Sequence, residues 1–128
     1  MEKSKTQIHE FHPEVYPRRV WIVKGGNLNV LKDMFCKRDM TDINFEGPYE
    51  GYVDSVQRRE DGMYGELIWF PQVKTMPTSH ICHEATHAAI DIFDDCGCRI
   101  DAENQEPFAY LVGWIANCID QVKRGKFK

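Results

Sequence analysis

Long hydrophobic runs are missing from this chain: none of its apolar stretches approaches the ~20 residues that a helix needs to cross a bilayer. The opening residues Met1-Glu2-Lys3-Ser4-Lys5 are charged and polar, without the apolar core of a secretory signal. An excess of positive charge is missing as well. The 16 Lys and Arg against 20 Asp and Glu leave a formal net charge of −4, which argues against a general binder of nucleic acid or of anionic membranes. The basic residues at Arg18-Arg19, Arg58-Arg59 and in the tail 123–128 read as solvated surface and a frayed terminus.

Cysteine is odd in number: Cys36, Cys82, Cys96, Cys98 and Cys118. Five thiols without a leader do not make a disulfide framework and point to reduced cysteines in a cytoplasmic setting. Cys96-Gly97-Cys98 is spaced more tightly than a zinc knuckle and has no second paired cluster, so a structural Cys-zinc site is not expected. Cys82 is expected on the apolar back of a helix and Cys118 near a buried arc, both as buried free thiols. There is no internal repeat and no low-complexity segment. What is present, 42% hydrophobic and 28% charged residues over 128 positions, suits one soluble globular domain with a core of its own.

Residues 1–14 are polar and read as a loosely ordered N-terminal arm, with a single domain over 15–124. Val20-Trp21-Ile22-Val23, closed by Gly25-Gly26, predicts a buried strand. Asn29 is placed to cap a short helix carrying Leu28, Leu31 and Phe35, and Gly47-Pro48 breaks the chain. Residues 52–58 and 64–70 are two strand-like runs separated by Asp61-Gly62, a hairpin signal. Pro71 ends the second run, as expected of an edge strand. From Thr78 the period becomes helical, with Thr78 or Ser79 as cap and Gly97 as terminator. Ile81, Ala85, Ala88, Ala89 and Ile92 share one arc of that helix; His80, His83, His87, Asp91 and Asp94 share the other, with Glu84 at the border. A second helix is expected from about Asn104, with Pro107 in its first turn. Phe108, Leu111, Val112, Ile115, Ile119 and Val122 form its apolar arc, and Glu103, Glu106, Tyr110, Trp114 and Asn117 its polar one.

His83-Glu84-Ala85-Thr86-His87 matches HExxH, a pattern that chance would place about 0.015 times in a chain of this composition. Residues four apart on a helix lie one above the other, so both imidazoles can grip one ion. Zinc held this way lowers the pKa of its water to ~7, and the intervening Glu84 can act as general base on it. Catalytic zinc normally takes three protein ligands, and the second helix offers Glu106 as the third, with Glu103 one turn earlier as rival. Pro107 restrains the backbone at Glu106. Asp91 and Asp94 read as solvated acids that can also orient a ligating imidazole. Tyr110, one turn past Glu106, is the candidate donor to a tetrahedral oxyanion, or else a structural residue at a helix seam. His80 is an exposed histidine near the helix cap or a substrate-side donor.

This set, HExxH followed at a short interval by Glu106, resembles the gluzincin class of zinc metallopeptidases. The stretch Glu106-Pro107-Phe108-Ala109-Tyr110-Leu111-Val112-Gly113 is also similar to that of small proteins assigned as metallopeptidases in phages and prokaryotes. The resemblance covers roughly residues 64–122. It implies a minimal zincin-like α+β fold, with a small twisted, mainly antiparallel sheet packed on the HExxH helix and a ligand-bearing helix. It also implies one Zn2+ per chain held by His83, His87 and Glu106, catalysis by Glu84 with Tyr110, and a bacterial or phage-infected cytoplasm as setting. A substrate peptide would add along strand 65–70 as an extra strand. The chain departs from larger gluzincins in lacking a separate C-terminal domain, and from metzincins in lacking a third histidine and methionine turn. The expected function is zinc-dependent hydrolysis of peptide bonds. Its alternative is a zinc-binding adaptor or regulator without catalysis, against which an intact Glu84 argues. A solvent-facing histidine stripe by coincidence is the third reading.

Overall fold

The computed structural model describes residues 6–47, 49–72 and 76–125, so the proline of the Gly47-Pro48 break and the last residues of the basic tail lie outside it. The fold is α+β: a five-stranded, mainly antiparallel sheet with three helices. In chain order the elements are β1 (Ile8–Phe11), β2 (Arg19–Lys24), α1 (Leu28–Met34), β3 (Phe35–Lys37), β4 (Tyr52–Arg58), β5 (Tyr64–Phe70), α2 (Thr78–Asp95) and α3 (Glu106–Arg124). Across the sheet the strands run β1-β2-β5-β4-β3, with β2 and β5 parallel and every other pair antiparallel. Among the described residues no helix is long and apolar enough to cross a membrane.

The pattern of apolar residues explains the layering. α2 and α3 cover one face of the sheet, where Val20, Ile22, Ile68 and Phe70 meet Ile81, Ala85, Ala88, Ala89, Ile92, Leu111, Ile115 and Ile119. Trp21, Val23, Leu67 and Trp69 alternate onto the other face and pack with Leu31, Phe35 and Ile43. Each large side chain buried this way contributes about 1.5–3 kcal/mol. The periodicity-based arcs of both helices are thus the buried faces, and β2 and the β4–β5 hairpin stand where the residues predict. Gly97 ends α2 with φ 73°, and Cys98 N–H closes back on the Phe93 carbonyl at 2.8 Å.

Several expectations are overturned. β5 is the central strand, bonded to β2 on one side and β4 on the other, so 65–70 has no free edge to accept a peptide. Its unbroken run of buried residues from Gly65 to Phe70 is what a strand covered on both faces requires, and Pro71 lies just beyond the ladder rather than on an edge. The arm is not loose throughout: Ile8–Phe11 pairs with β2. Glu10 ties it down, accepting from Trp21 Nε1 at 2.9 Å and from Arg58 at 2.6 Å. Burial pushes the Glu10 carboxyl up, but the hydrogen bonds from Trp21, His12 and Arg58 prevail and hold it at about 2. Helix α1 is capped by Asn27, whose Oδ1 accepts from Asn29 N–H at 2.7 Å, so Asn29 is the capped residue, not the cap. α2 begins after Pro77 with no side-chain cap from Thr78 or Ser79, whereas α3 begins at Glu106, two residues past Asn104, with Pro107 in its first turn as expected. Cys82 is exposed, while Cys118 is buried as expected. One residue past Ile81, Cys82 is rotated off the apolar arc by a full helical step.

The close approach of β2 to β5 depends on Gly65. A Cβ there would stand 2.4 Å from the Arg19 carbonyl oxygen and 2.5 Å from the Trp21 ring. Gly65→Ala should therefore destabilise the fold by about 3 kcal/mol or more, the upper range for overpacking, because backbone cannot yield as a side chain can. Urea unfolding measures this, and a change under about 0.5 kcal/mol, the range of neutral surface substitutions, would contradict the packing at this position.

Candidate functional site

The polar arc of α2 faces away from the sheet core and toward the start of β4. Three alanines, Ala85, Ala88 and Ala89, are fully buried against the sheet. With nothing beyond Cβ, they let α2 sit close to the strands. A cavity of about 700 Å³ opens between the two elements, lined by His80, His83, Glu84 and His87 from α2 and by Gly51 and Tyr52 from the β4 side.

Within it the two histidines of the motif converge. His83 Nε2 and His87 Nε2 are 3.1 Å apart, with their rings nearly perpendicular at 80°. Two imidazole nitrogens bound to one tetrahedral zinc at ~2.0–2.1 Å would stand about 3.3 Å apart, so the pair fits a metal of that size. Together with Glu84 they form the group able to hold an ion, its ligand atoms all within 4.8 Å of one another. Thr86, between them in sequence, turns its hydroxyl back to the Cys82 carbonyl at 2.7 Å and leaves the site to its neighbours.

Glu84 is the buried member, 8% exposed. Burial raises its carboxyl pKa, opposed by the nearby His83, His87 and His80. A carboxylate displaced upward in this way is better matched to accepting a proton near neutrality. Its place is made by the absence of a side chain opposite: a Cβ on Gly51 would lie 2.9 Å from both Cγ and Oε2 of Glu84. His80 also lines the cavity, and its Nδ1 is 2.9 Å from Glu50 Oε1, a contact from α2 to the loop before β4.

The helix α3 does not complete the set. Glu106 is exposed and belongs with Ala109, Tyr110 and Trp114 to a different surface concavity. Tyr110, 75% exposed, also faces the 12–16 segment, away from the histidines. Glu103 is exposed in the connection between the helices, its N–H bonded to Asp101 Oδ1 at 2.9 Å. The reason is geometric. Phe93 at the end of α2 meets Phe108 at the start of α3, ring centroids 5.3 Å apart. Glu106 therefore sits beside the C-terminal end of α2, while His87 and His83 lie roughly 12–18 Å back along that helix at about 1.5 Å per residue.

The sequence reading passed over Gly51, Glu50, Tyr49 and Tyr52, which shape the cavity, because nothing local ties them to the motif. It also passed over Glu66, the other buried charged residue among those described, 1% exposed. An acid within the apolar run 64–70 was the available signal.

Glu84 has a stability signature. In the unfolded chain it ionises near 4.5, and in the fold only at higher pH. Stability therefore falls as pH rises between those values, and above them the buried anion remains a cost. Metal-free Glu84→Gln should be more stable than the parent at pH 7 by about 0.5–2 kcal/mol. The gap should close below pH 4.5. Melting curves across that range test this, and a variant less stable at pH 7 would show that the anion is satisfied where it lies.

No protein-family model matches the chain, and no curated protein or solved structure is significantly similar to it.

Proposed function

We propose that this chain is a zinc-dependent peptidase in which His83 and His87 hold the ion and Glu84 is the general base. The observation that carries this reading is the convergence of the two Nε2 atoms at 3.1 Å with a buried carboxyl beside them in one open cavity. Bound zinc supplies a Lewis acid and an activated water near neutral pH. The chain's own residues do the rest. Glu84, with its pKa raised, takes a proton from water and delivers it to the departing amine. Gly51 keeps the space into which its carboxylate reaches.

The substrate's place differs from the one read from sequence. β3 pairs only with residues 56–58 of β4. Among the described residues, the outer edge of 52–55 carries no strand, and this stretch begins at the wall of the cavity. An extended peptide adding there would use main-chain hydrogen bonds for affinity and run past the histidines. Tyr49 and Tyr52, packed edge to face at 5.8 Å, would line its path. The five free cysteines suit a reducing cytoplasm.

A second reading has one observation in its favour. With Glu106 elsewhere, the histidine pair provides two of the three protein donors that a catalytic zinc normally has. That favours a metal-binding adaptor without hydrolysis. Experiment separates the two. The purified protein should hold about one zinc per chain. His83→Ala or His87→Ala should lose it, and unchanged loading in both would rule out the site.

Glu84→Gln should keep the metal and lose ~100- to 10,000-fold in peptide hydrolysis. Gly51→Ala, whose Cβ would meet Glu84 from Cγ outward, should cost about 1–3 kcal/mol of stability and reduce hydrolysis at least ~100-fold by displacing the base. Zinc binding with no turnover of a diverse peptide library would establish the adaptor instead.

A further inference from the structure

The cavity is longer than two histidines and a base require. Its α2 wall runs from Ser79 to Asp91, with His83 and His87 near the middle. From His80 to Asp91 that is roughly 17 Å at about 1.5 Å per residue, room for about five residues of extended peptide. The charged side chains along it are of one sign. Glu50, Glu84 and Asp91 line the cavity, and no lysine or arginine does so among the described residues.

The three acids are placed differently. Glu84, buried beside the histidines, accepts no hydrogen bond among the described residues, so its carboxyl is an unpartnered acceptor at the space a ligand would fill. Glu50 stands near the start of α2. Its Oε1 lies 2.9 Å from His80 Nδ1, which holds the carboxylate in place, yet the side chain is 48% exposed. Asp91 stands at the other end, one helical turn past His87. Next to Glu50, the Tyr49 ring packs edge to face on Tyr52, whose own hydroxyl donates to the Gly47 carbonyl. Gly47 makes the room for that ring, since a Cβ there would stand 2.8 Å from Tyr49 Cε2. Although held in this way, Tyr49 is 66% exposed, an open aromatic surface on the cavity wall.

An aromatic face beside a carboxylate attracts a cation twice over, through the ring quadrupole and through charge. An acidic side chain would meet only like charge along this wall. Resting on the peptidase reading of the cavity, we infer that its substrate is a cationic peptide: one lysine or arginine sits against Tyr49 and Glu50, and a second, across the scissile bond, meets Asp91. Residues four apart in an extended peptide project from one face and span about 13 Å, and the reach of two long side chains covers the remaining distance between the acids.

The test uses heptapeptides that differ only at the second and sixth positions, both Lys, both Gln or both Glu. Binding is read by fluorescence anisotropy with Glu84→Gln protein in buffer containing Zn2+, and hydrolysis with the parent. The Lys peptide should bind about 10-fold more tightly than the Gln peptide, from two contacts of about 3-fold each, and the Glu peptide should bind most weakly. Salt at ~1 M should shrink that preference. Glu50→Gln, Asp91→Asn and Tyr49→Leu should each weaken the Lys peptide about 3-fold and leave the Gln peptide unchanged. Equal binding of the three peptides, binding of none, or a Lys preference that survives Glu50→Gln combined with Asp91→Asn would overturn the inference. A parent that binds the Lys peptide selectively without cleaving it would support the cationic selection and remove the peptidase reading. Cleavage of all three peptides at the same kcat/KM would do the reverse.

Discussion

The seating of α2 on the sheet is the contact on which the rest of the molecule depends. Ala85, Ala88 and Ala89 are buried to the last atom, and their small size brings the helix backbone near the strands. Rotation of the helix is then set, because moving the alanine face would drive bulkier side chains into the sheet. With rotation set, the next arc around carries His83 and His87 to the side where β4 begins. The cavity is a consequence of that packing, and so is the burial of Glu84 at the boundary between the two arcs.

Two acids in apolar surroundings then mark where the fold departs from the optimum for stability alone. Glu84 is pressed against a glycine, and Glu66 lies buried in the central strand with Ser55 as its hydrogen-bond partner. Both have raised carboxyl pKa values, chiefly from burial. Elsewhere the ionic contacts are partly exposed and made between opposite charges. Asp95 is shared between Arg18 and Arg38, and Glu10 anchors the first strand to Trp21 and Arg58. Departures from local consistency gather at sites that do something, and here Glu84 adjoins the histidine pair.

Strands whose residues carry their own pattern were readable one at a time. The β4–β5 hairpin follows from two alternating runs around Asp61-Gly62, and α2 and α3 follow from apolar spacing near 3.6. The convergence of His83 and His87 was equally local, since a separation of four on a helix fixes it. What failed was inference about neighbours. Pro71 suggested an edge, but whether a strand has one partner or two depends on where the chain returns, and β2 lies alongside β5 through a pairing remote in sequence. The strand within the first fourteen residues was hidden because four residues in an edge strand need little apolar content when a hub such as Glu10 secures them.

The sequence by itself determined the helical periods, the hairpin, the shared face of the two histidines and the carboxyl group between them. These rest on separations of a few residues, which backbone geometry converts directly into distance. Only the tertiary structure decided which other groups face that site. Glu106 is near the motif in sequence and on a suitable stripe, yet the helix pairing carries it to the far end of α2. Gly51, Tyr52 and Val53 come from around the start of β4, far from the motif in sequence, and line the cavity of the histidines because the packing sets β4 against α2. Periodicity determines the direction in which a side chain points from its own helix or strand, but the long-range packing of apolar faces determines what stands opposite it.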